Sequence, residues 1–443
     1  MLLSLALLTG ICHLSYSQTS WKGAISTSWN NASNWTNGVP TPTTDAILGD
    51  GNFSGSFQPT VNVAASCKSL TVGGARATTV TLTKNLVASG NVTNSSNGTI
   101  SQPASTLTLS GNWVNNGIYS TTSSSARVIF GGVAQSIGGS AVTTFRRIKI
   151  NTASTVTLAN NITVSGTNSY LYVYGVLNPS ESPGYTITST ILFKVFNNGK
   201  IKVNASGFTG NYILSGTVNL AAGAIVEYSS TSTNQTISNS FTYSTLIVSG
   251  TGVKSLAGNL PSLNSSNSSR GNIFVNSGTL DLLGFTANRG TAATGGNINV
   301  ANGAILKIGS TNTFPSNYNT VVLSLNSTVE YNGTAQIVSA RSYGNLILSS
   351  ASGSVSKTFP GAAFTIAGNF TSIIGSGTGV SYSSASNITF NGSVTIGTST
   401  TFNGSSNTHI VRGNWINNGT FSGSTGTIQF DGASSGISGS ALA

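Results

Sequence analysis

One short pattern occurs four times in this chain, and it constrains the fold more than any other feature. It begins at Val128-Ile129-Phe130, Val226-Glu227-Tyr228, Val329-Glu330-Tyr331 and Ile428-Gln429-Phe430, at spacings of 98, 103 and 99 residues. The first three copies carry a Gln downstream (Gln135, Gln235, Gln336) beside an Ile (Ile137, Ile237, Ile337). Each then places an aromatic (Phe145, Tyr243, Tyr343) ahead of another apolar strand. The fourth keeps Ile437, lacks the Gln, and stops before the aromatic. A second element, Gly-Asn-Trp-x-Asn-Asn-Gly, starts at Gly111 and again at Gly413. Self-similarity at a fixed period is the signature of a repeat architecture.

The segments between these elements alternate with period two. Thr79–Thr83, Thr106–Leu109, Thr155–Leu158, Thr217–Leu220 and Asn297–Val300 each put apolar side chains on one face and Thr or Asn on the other. Asn-Gly pairs at 97–98, 116–117, 198–199, 302–303 and 418–419 read as turns that accept positive φ. Gly and small polar residues are poor helix formers, and no amphipathic helix is visible. The fold class is therefore all-β. An elongated parallel β-solenoid, right-handed and β-helix-like, with repeats of about 100 residues, is favoured over the alternative, tandem β-sandwich domains. Strands and turns follow one another without polar linkers. Only 6% of residues are charged, against about 25% in an average domain. Stacking aligns identical positions, where like charges would repel. At about 20 residues per coil and about 4.8 Å per coil, the rod would be on the order of 100 Å long. The domain reading is a signal peptide over 1–17, a Trp-rich β module over 18–110, and a repetitive solenoid over 111–443 whose last repeat is truncated.

Leu2–Cys12 is an apolar run of signal-peptide length, with Ser15-Tyr16-Ser17 as the cleavage motif before Gln18. No segment is long and apolar enough to span a bilayer. Cleavage would leave one cysteine, Cys67, and one histidine, His409, so no intrachain disulfide and no Cys/His zinc site can form. Cys67 closes an apolar alternation and reads as a small buried hydrophobe.

Seven carboxylates serve the whole chain: Asp45, Asp50, Glu181, Glu227, Asp281, Glu330 and Asp431. Glycoside hydrolysis needs a convergent pair. Glu227 and Glu330 hold the same place in their copies, between two apolar strand residues, and are expected to face solvent. Asp50-Gly51 reads as a turn rather than a calcium loop, since hard cations want several oxygen ligands. No catalytic residue, metal ligand or cofactor is assigned, and a β-helix polysaccharide-degrading enzyme would require two carboxylates to meet among Asp45, Asp50, Glu181 and Asp281.

The ligand-binding candidates are Trp21, Trp29 and Trp35, whose flat rings could stack on sugars if exposed. The competing reading has them close the end of the solenoid as core. Arg146-Arg147-Ile148-Lys149, with Arg127 upstream, is the densest basic cluster in a chain of net charge +11. A nucleic-acid partner is not expected for an exported chain. Acidic extracellular polysaccharide or an anionic surface suits the charge better.

Trp29-Asn30-Asn31-Ala32-Ser33-Asn34-Trp35-Thr36-Asn37-Gly38-Val39-Pro40, followed by Asp45 and by Cys67-Lys68-Ser69-Leu70-Thr71-Val72, resembles the opening module of large secreted surface proteins of Bacteroidota. It is also similar to the start of the eight-glycine all-β domain of some extracellular proteins. Val329–Ile337, with Tyr343-Gly344-Asn345-Leu346, resembles a repeat of those same surface proteins. The resemblance implies a β-helix-like, adhesin-like protein, secreted or on the outer cell surface. Such proteins usually end in a type IX sorting domain, which this sequence lacks. The expected function is non-enzymatic, structural or adhesive, with extracellular polysaccharide, cell-surface glycan or another copy of the chain as partner. The alternative is a carbohydrate-binding fragment of a larger β-helix polysaccharide-degrading enzyme.

Overall fold

The computed structural model describes residues 17–261, 271–290 and 295–441. The leader read over residues 1–17 lies, apart from Ser17, outside them. Among the described residues the chain is all-β: short strands, one 3-10 turn at Ala32–Asn34 and one helical turn at Phe208–Asn211. The ladders are parallel and join segments one turn apart, forming a β-solenoid of about 17 turns. Parallel pairing excludes tandem sandwiches, which are built from antiparallel sheets.

The chain divides into two compact units between Leu171 and Tyr172. In the first, the pairs Leu70–Val92, Val92–Trp113 and Trp113–Ile137 set turns of 22, 21 and 24 residues. The side chains at those pairs are buried and stack into a continuous core. Each fully buried Leu, Val or Ile contributes about 1.5–3 kcal/mol. Their neighbours, such as Thr71 and Thr93, are in register on the outer face. Pairing continues through residue 110, since Leu107 is in register with both Leu86 and Val128. The boundary drawn at 110/111 thus marks a change of sequence style and not a break in the fold.

In the second unit the same logic holds. One sheet includes Lys200–Val203, Ile225–Tyr228, Thr245–Val248, Asn272–Val275, Asn297–Val300 and Thr320–Leu323. Another runs from Gln235–Ile237 through Val253–Leu256, Thr279–Asp281, Ile305–Ile308, Thr328–Tyr331 and Asn345–Leu348 to Ile437–Ser438. The box copies at Val226 and Val329 fall in different sheets. The repeat is therefore a local packing module and does not return to one face of the solenoid.

Asparagine links the turns. The Asn345 Oδ1 accepts the Asn369 amide one turn later, Asn369 Oδ1 accepts the Ser393 amide, and Asn414 Oδ1 accepts the Gly436 amide, at 2.8–2.9 Å. Asn91 and Asn112 do the same for Asn112 and Ser136 in the first unit. These bonds satisfy corner amides that sheet pairing leaves over. The Asn-Gly turns work differently from the sequence expectation. Of the five pairs, only Asn198 and Gly303 take positive φ. Gly98 and Gly419 are needed for close approach instead: a Cβ at 98 would meet the Val72 carbonyl, and one at 419 the Gly397 carbonyl, both in the preceding turn.

The box is explained by its Gln. Gln135, Gln235 and Gln336 are all buried. Each Oε1 accepts a main-chain amide, from Gly132, Ser230 and Gly333 respectively. Each Nε2 donates to two carbonyls of the preceding turn: Leu109 and Gly111, Val203 and Ala205, Ile308 and Asn312. The two aromatics then meet. Tyr228 and Tyr243 are hydroxyl to hydroxyl at 3.1 Å, Tyr331 and Tyr343 at 2.9 Å. Ser238 and Ser339 complete the two sets, each donating its amide to the first Tyr and accepting from the second. The first copy replaces the pair with Phe130 and Phe145, packed edge to face with no hydroxyl to satisfy.

Candidate functional site

Trp21, Trp29 and Trp35 come together, but inside the protein, at 0, 0 and 1% exposure. Trp35 sits edge-on to Trp21 at 5.1 Å and to Trp29 at 4.7 Å. Trp21 donates its indole N–H to the Phe57 carbonyl, and Trp35 donates to Trp29's. The Asn-rich motif around them is a scaffold. Asn31 caps the 3-10 turn by accepting the Ser33 amide. Buried Asn34 accepts the Ile25 and Ser26 amides and donates to the Ser28 carbonyl. Sugar stacking requires exposed ring faces, and these three have none. They are core residues. Trp113 and Trp415, from the Gly-Asn-Trp element, are buried too.

The carboxylates are engaged in structure. Asp45 pairs with Lys68 at 3.5 Å, and Asp50 accepts from the Ser20 hydroxyl at 2.6 Å. Glu181 binds the Ser230–Ser232 loop through the hydroxyls of all three residues and the amides of Thr231 and Ser232. Burial opposes its charge, yet those hydrogen bonds outweigh burial and hold the carboxyl down to about 2. Glu227 and Glu330 are not open to solvent as expected. A lysine of the preceding turn and a serine of the next shield each one: Lys200 and Ser249 for Glu227, Lys307 and Ser349 for Glu330. Asp281, Lys307 and Glu330 occupy one ladder on successive turns. Among the described residues, no hydrogen bond joins any two of Asp45, Asp50, Glu181 and Asp281; each is held by other partners. Among the described residues, no group of three or more His, Cys, Asp or Glu could hold a metal ion.

Cys67 points into the core, where burial and then nearby Asp45 push its thiol up to about 12. It is inert at neutral pH. His409 is buried as well; its Nδ1 accepts the Ile388 amide, so its Nε2–H donates to the Gly404 carbonyl. Burial lowers its pKa below the ordinary 6.5. An unfolded chain then takes up this proton more readily than the folded one, and stability is lost as pH falls below about 6.5. Exchange of the Ile388 amide with solvent, corrected for intrinsic rates, should speed up on acidification in the wild type. In His409→Gln that local dependence should vanish.

Two buried lysines escaped the sequence reading. Lys254 donates to the Ser230 carbonyl, and Lys357 to the Gly333 carbonyl and to Gln336 Oε1. Each stands in register with a box Gln. Burial pushes Lys357 down to about 8. The signal was parity: Lys254 alternates in phase with Leu256, and Lys357 with Val355, so both share the inward face.

The basic cluster divides by the same alternation. Val128, Phe130, Ile148 and Ile150 are buried, so Arg127, Ile129, Arg147 and Lys149 face outward. Val128 and Ile148 are in register, which sets Arg127 and Arg147 side by side in successive turns. Arg146 leaves the sheet and lies against Gly166. Tyr170 completes the group. Arg147 lies over its ring at 5.0 Å and donates Nε–H to the Asn168 carbonyl, while Arg127 reaches the Tyr170 hydroxyl and Thr106. Neither Arg127 nor Arg147 forms an ion pair with a carboxylate among the described residues. This unit carries eight Lys and Arg against two Asp. Its outward strand face thus holds two arginines on adjacent strands of the ladder, which lie about 4.8 Å apart, with both guanidinium groups braced on Tyr170.

No known protein family, no curated protein and no solved structure matches the chain.

Proposed function

We propose that this is a non-enzymatic, structural or adhesive solenoid of the cell exterior that holds acidic polysaccharide on the Arg127–Arg147–Tyr170 face. One observation carries the reading. Like charges directly opposite one another in a ladder are destabilising, and the folding core gains nothing from them. The second unit places opposite charges at such positions: Lys202 beside Glu227, and Lys307 between Asp281 and Glu330. A bound polyanion would offset the repulsion of Arg127 and Arg147. The planar guanidinium suits carboxylate and sulfate oxygens, which it can bind through two N–H groups at once. Placement outside the cell rests on the leader and on the resemblance to secreted surface proteins.

The test is capture of the purified protein on insoluble acidic and neutral polysaccharides, with released sugar assayed in the same tubes. Retention on the acidic matrices alone, without sugar release, is expected. Equal retention on neutral matrices would refute a charge-based contact, and released sugar would refute the non-enzymatic reading in favour of the alternative.

A further inference from the structure

We propose that the strand Thr217–Leu220 is a docking edge for an extended acidic peptide, which adds one strand beside it and extends the wall of the solenoid. The inference is independent of the polysaccharide reading.

The edge recurs with the box. Tyr119, Thr217 and Thr320 each stand nine residues ahead of a box, at Val128, Val226 and Val329. Each lies in a strand that ends its sheet among the described residues: Ile118–Ser120, Thr217–Leu220 and Thr320–Leu323. The last two read Thr-Val-x-Leu, and in both the inward side chains lose their cover. Phe193 and Val195 are buried in the strand before, whereas Val218 and Leu220 are only half-buried. Ile298 and Val300 are buried, whereas Val321 and Leu323 are half-buried. Edge strands are commonly protected by charge or proline. Thr217–Leu220 and Thr320–Leu323 carry neither.

Main-chain parity shows what the first of these two edges offers. Thr217 and Ala221 donate their amides to the Ile191 and Val195 carbonyls of the preceding turn. Alternate residues of a strand aim their N–H and C=O to opposite sides, so those of Val218 and Leu220 point away from that turn. Among the described residues no hydrogen bond meets them there. They open onto a groove of about 640 Å³, lined by Val218–Leu220 on one side and Ser240–Thr242 on the other. Three residues of strand, about 10 Å in length, match the exposed edge.

The occupant's chemistry follows. A peptide main chain supplies donors and acceptors at the spacing of Val218 and Leu220, and strand addition to a free edge is a general mode of peptide recognition. Its residues opposite Val218 and Leu220 point inward. Apolar side chains there would cover those two residues and meet Phe241, which lines this groove and the next one beside Phe208 and Ala257. Its residue opposite Asn219 points outward. Lys194 is in register with Asn219 on that outer face, with its ammonium over the Phe196 ring. It makes no ion pair among the described residues. A glutamate opposite Asn219 complements that charge.

The probe is the peptide acetyl-Ser-Val-Glu-Val-Ser-amide, titrated into the full protein, with amide exchange read by NMR. In the free protein the Val218 and Leu220 amides should exchange fast and that of Asn219 slowly. The peptide should slow the first two by about tenfold or more. Val218→Pro removes a donor that the fold does not use, at an edge position where proline is tolerated. It should keep its melting temperature and bind the peptide about tenfold more weakly. Replacing the peptide's glutamate by glutamine should cost about threefold in the wild type and nothing in Lys194→Gln. Unslowed exchange at Val218 and Leu220 in the wild type would overturn the proposal whatever the variants do. Equal affinity for folded Val218→Pro would overturn it too. Protection of these amides by a galacturonic acid hexamer, and not by the peptide, would assign the groove to glycan and refute a peptide edge.

Discussion

Gln336→Leu is expected to destabilise the Tyr172–Ala443 unit by about 4 kcal/mol, near the top of the range for a single substitution. Leu fills a similar volume but can neither donate nor accept. The Gly333 amide, the Ile308 and Asn312 carbonyls and the Lys357 ammonium would each lose a partner in a buried place. An orphaned buried polar group costs about 1–3 kcal/mol, and relaxation recovers part of that sum. Gln135→Leu should cost less, because Val156 stands in register where the other copies have Lys. A solenoid loses stability turn by turn. The measurement is therefore the urea midpoint together with hydrogen exchange at Gly333 and its neighbours. A loss under about 1 kcal/mol would mean that the repeated Gln is not what joins the turns.

Trp35→Ala should cost the first unit about 3–5 kcal/mol. Trp35 is the middle ring of the three, and its removal leaves a cavity and two edge-to-face contacts unmade. Acidic-polysaccharide binding by the fraction that remains folded should be unchanged. Lost binding in a protein with an unaltered melting curve would restore the tryptophans as a ligand site. Loss of stability with binding retained is the pattern a core cluster gives.

Much of the fold was legible because alternation is a direct record of which side chains face inward. Thr106–Leu109, Thr155–Leu158, Thr217–Leu220 and Asn297–Val300 are strands with the bounds read from the sequence. Parallel stacking was legible through the absence of polar linkers and the scarcity of charge. The candidate site was less so. A tryptophan in an Asn/Ser-rich stretch looks like a surface residue until the loop around Asn34 is seen to fold over it. The pairing of Arg127 with Arg147 depends on register between turns, which a single sequence does not state. Glu227 and Glu330 were expected to face solvent, and lysine and serine partners from adjacent turns shield them instead. The stacking of Tyr174 on Phe196 was not legible for the same reason: residues 22 apart become neighbours only once the turn length is known.

The central claim is that Arg127 and Arg147 hold a polyanion. Its most direct test is the affinity of the protein for soluble polygalacturonate as a function of salt, compared with Arg127→Ala/Arg147→Ala. Contacts to a polyanion release counterions, so the logarithm of affinity falls linearly with that of salt, by about one unit of slope per charge neutralised. The account predicts a steep salt dependence in the wild type. It predicts weaker binding in the double variant, with a slope smaller by about two and an unchanged melting temperature. An identical affinity and slope in a folded double variant would contradict it.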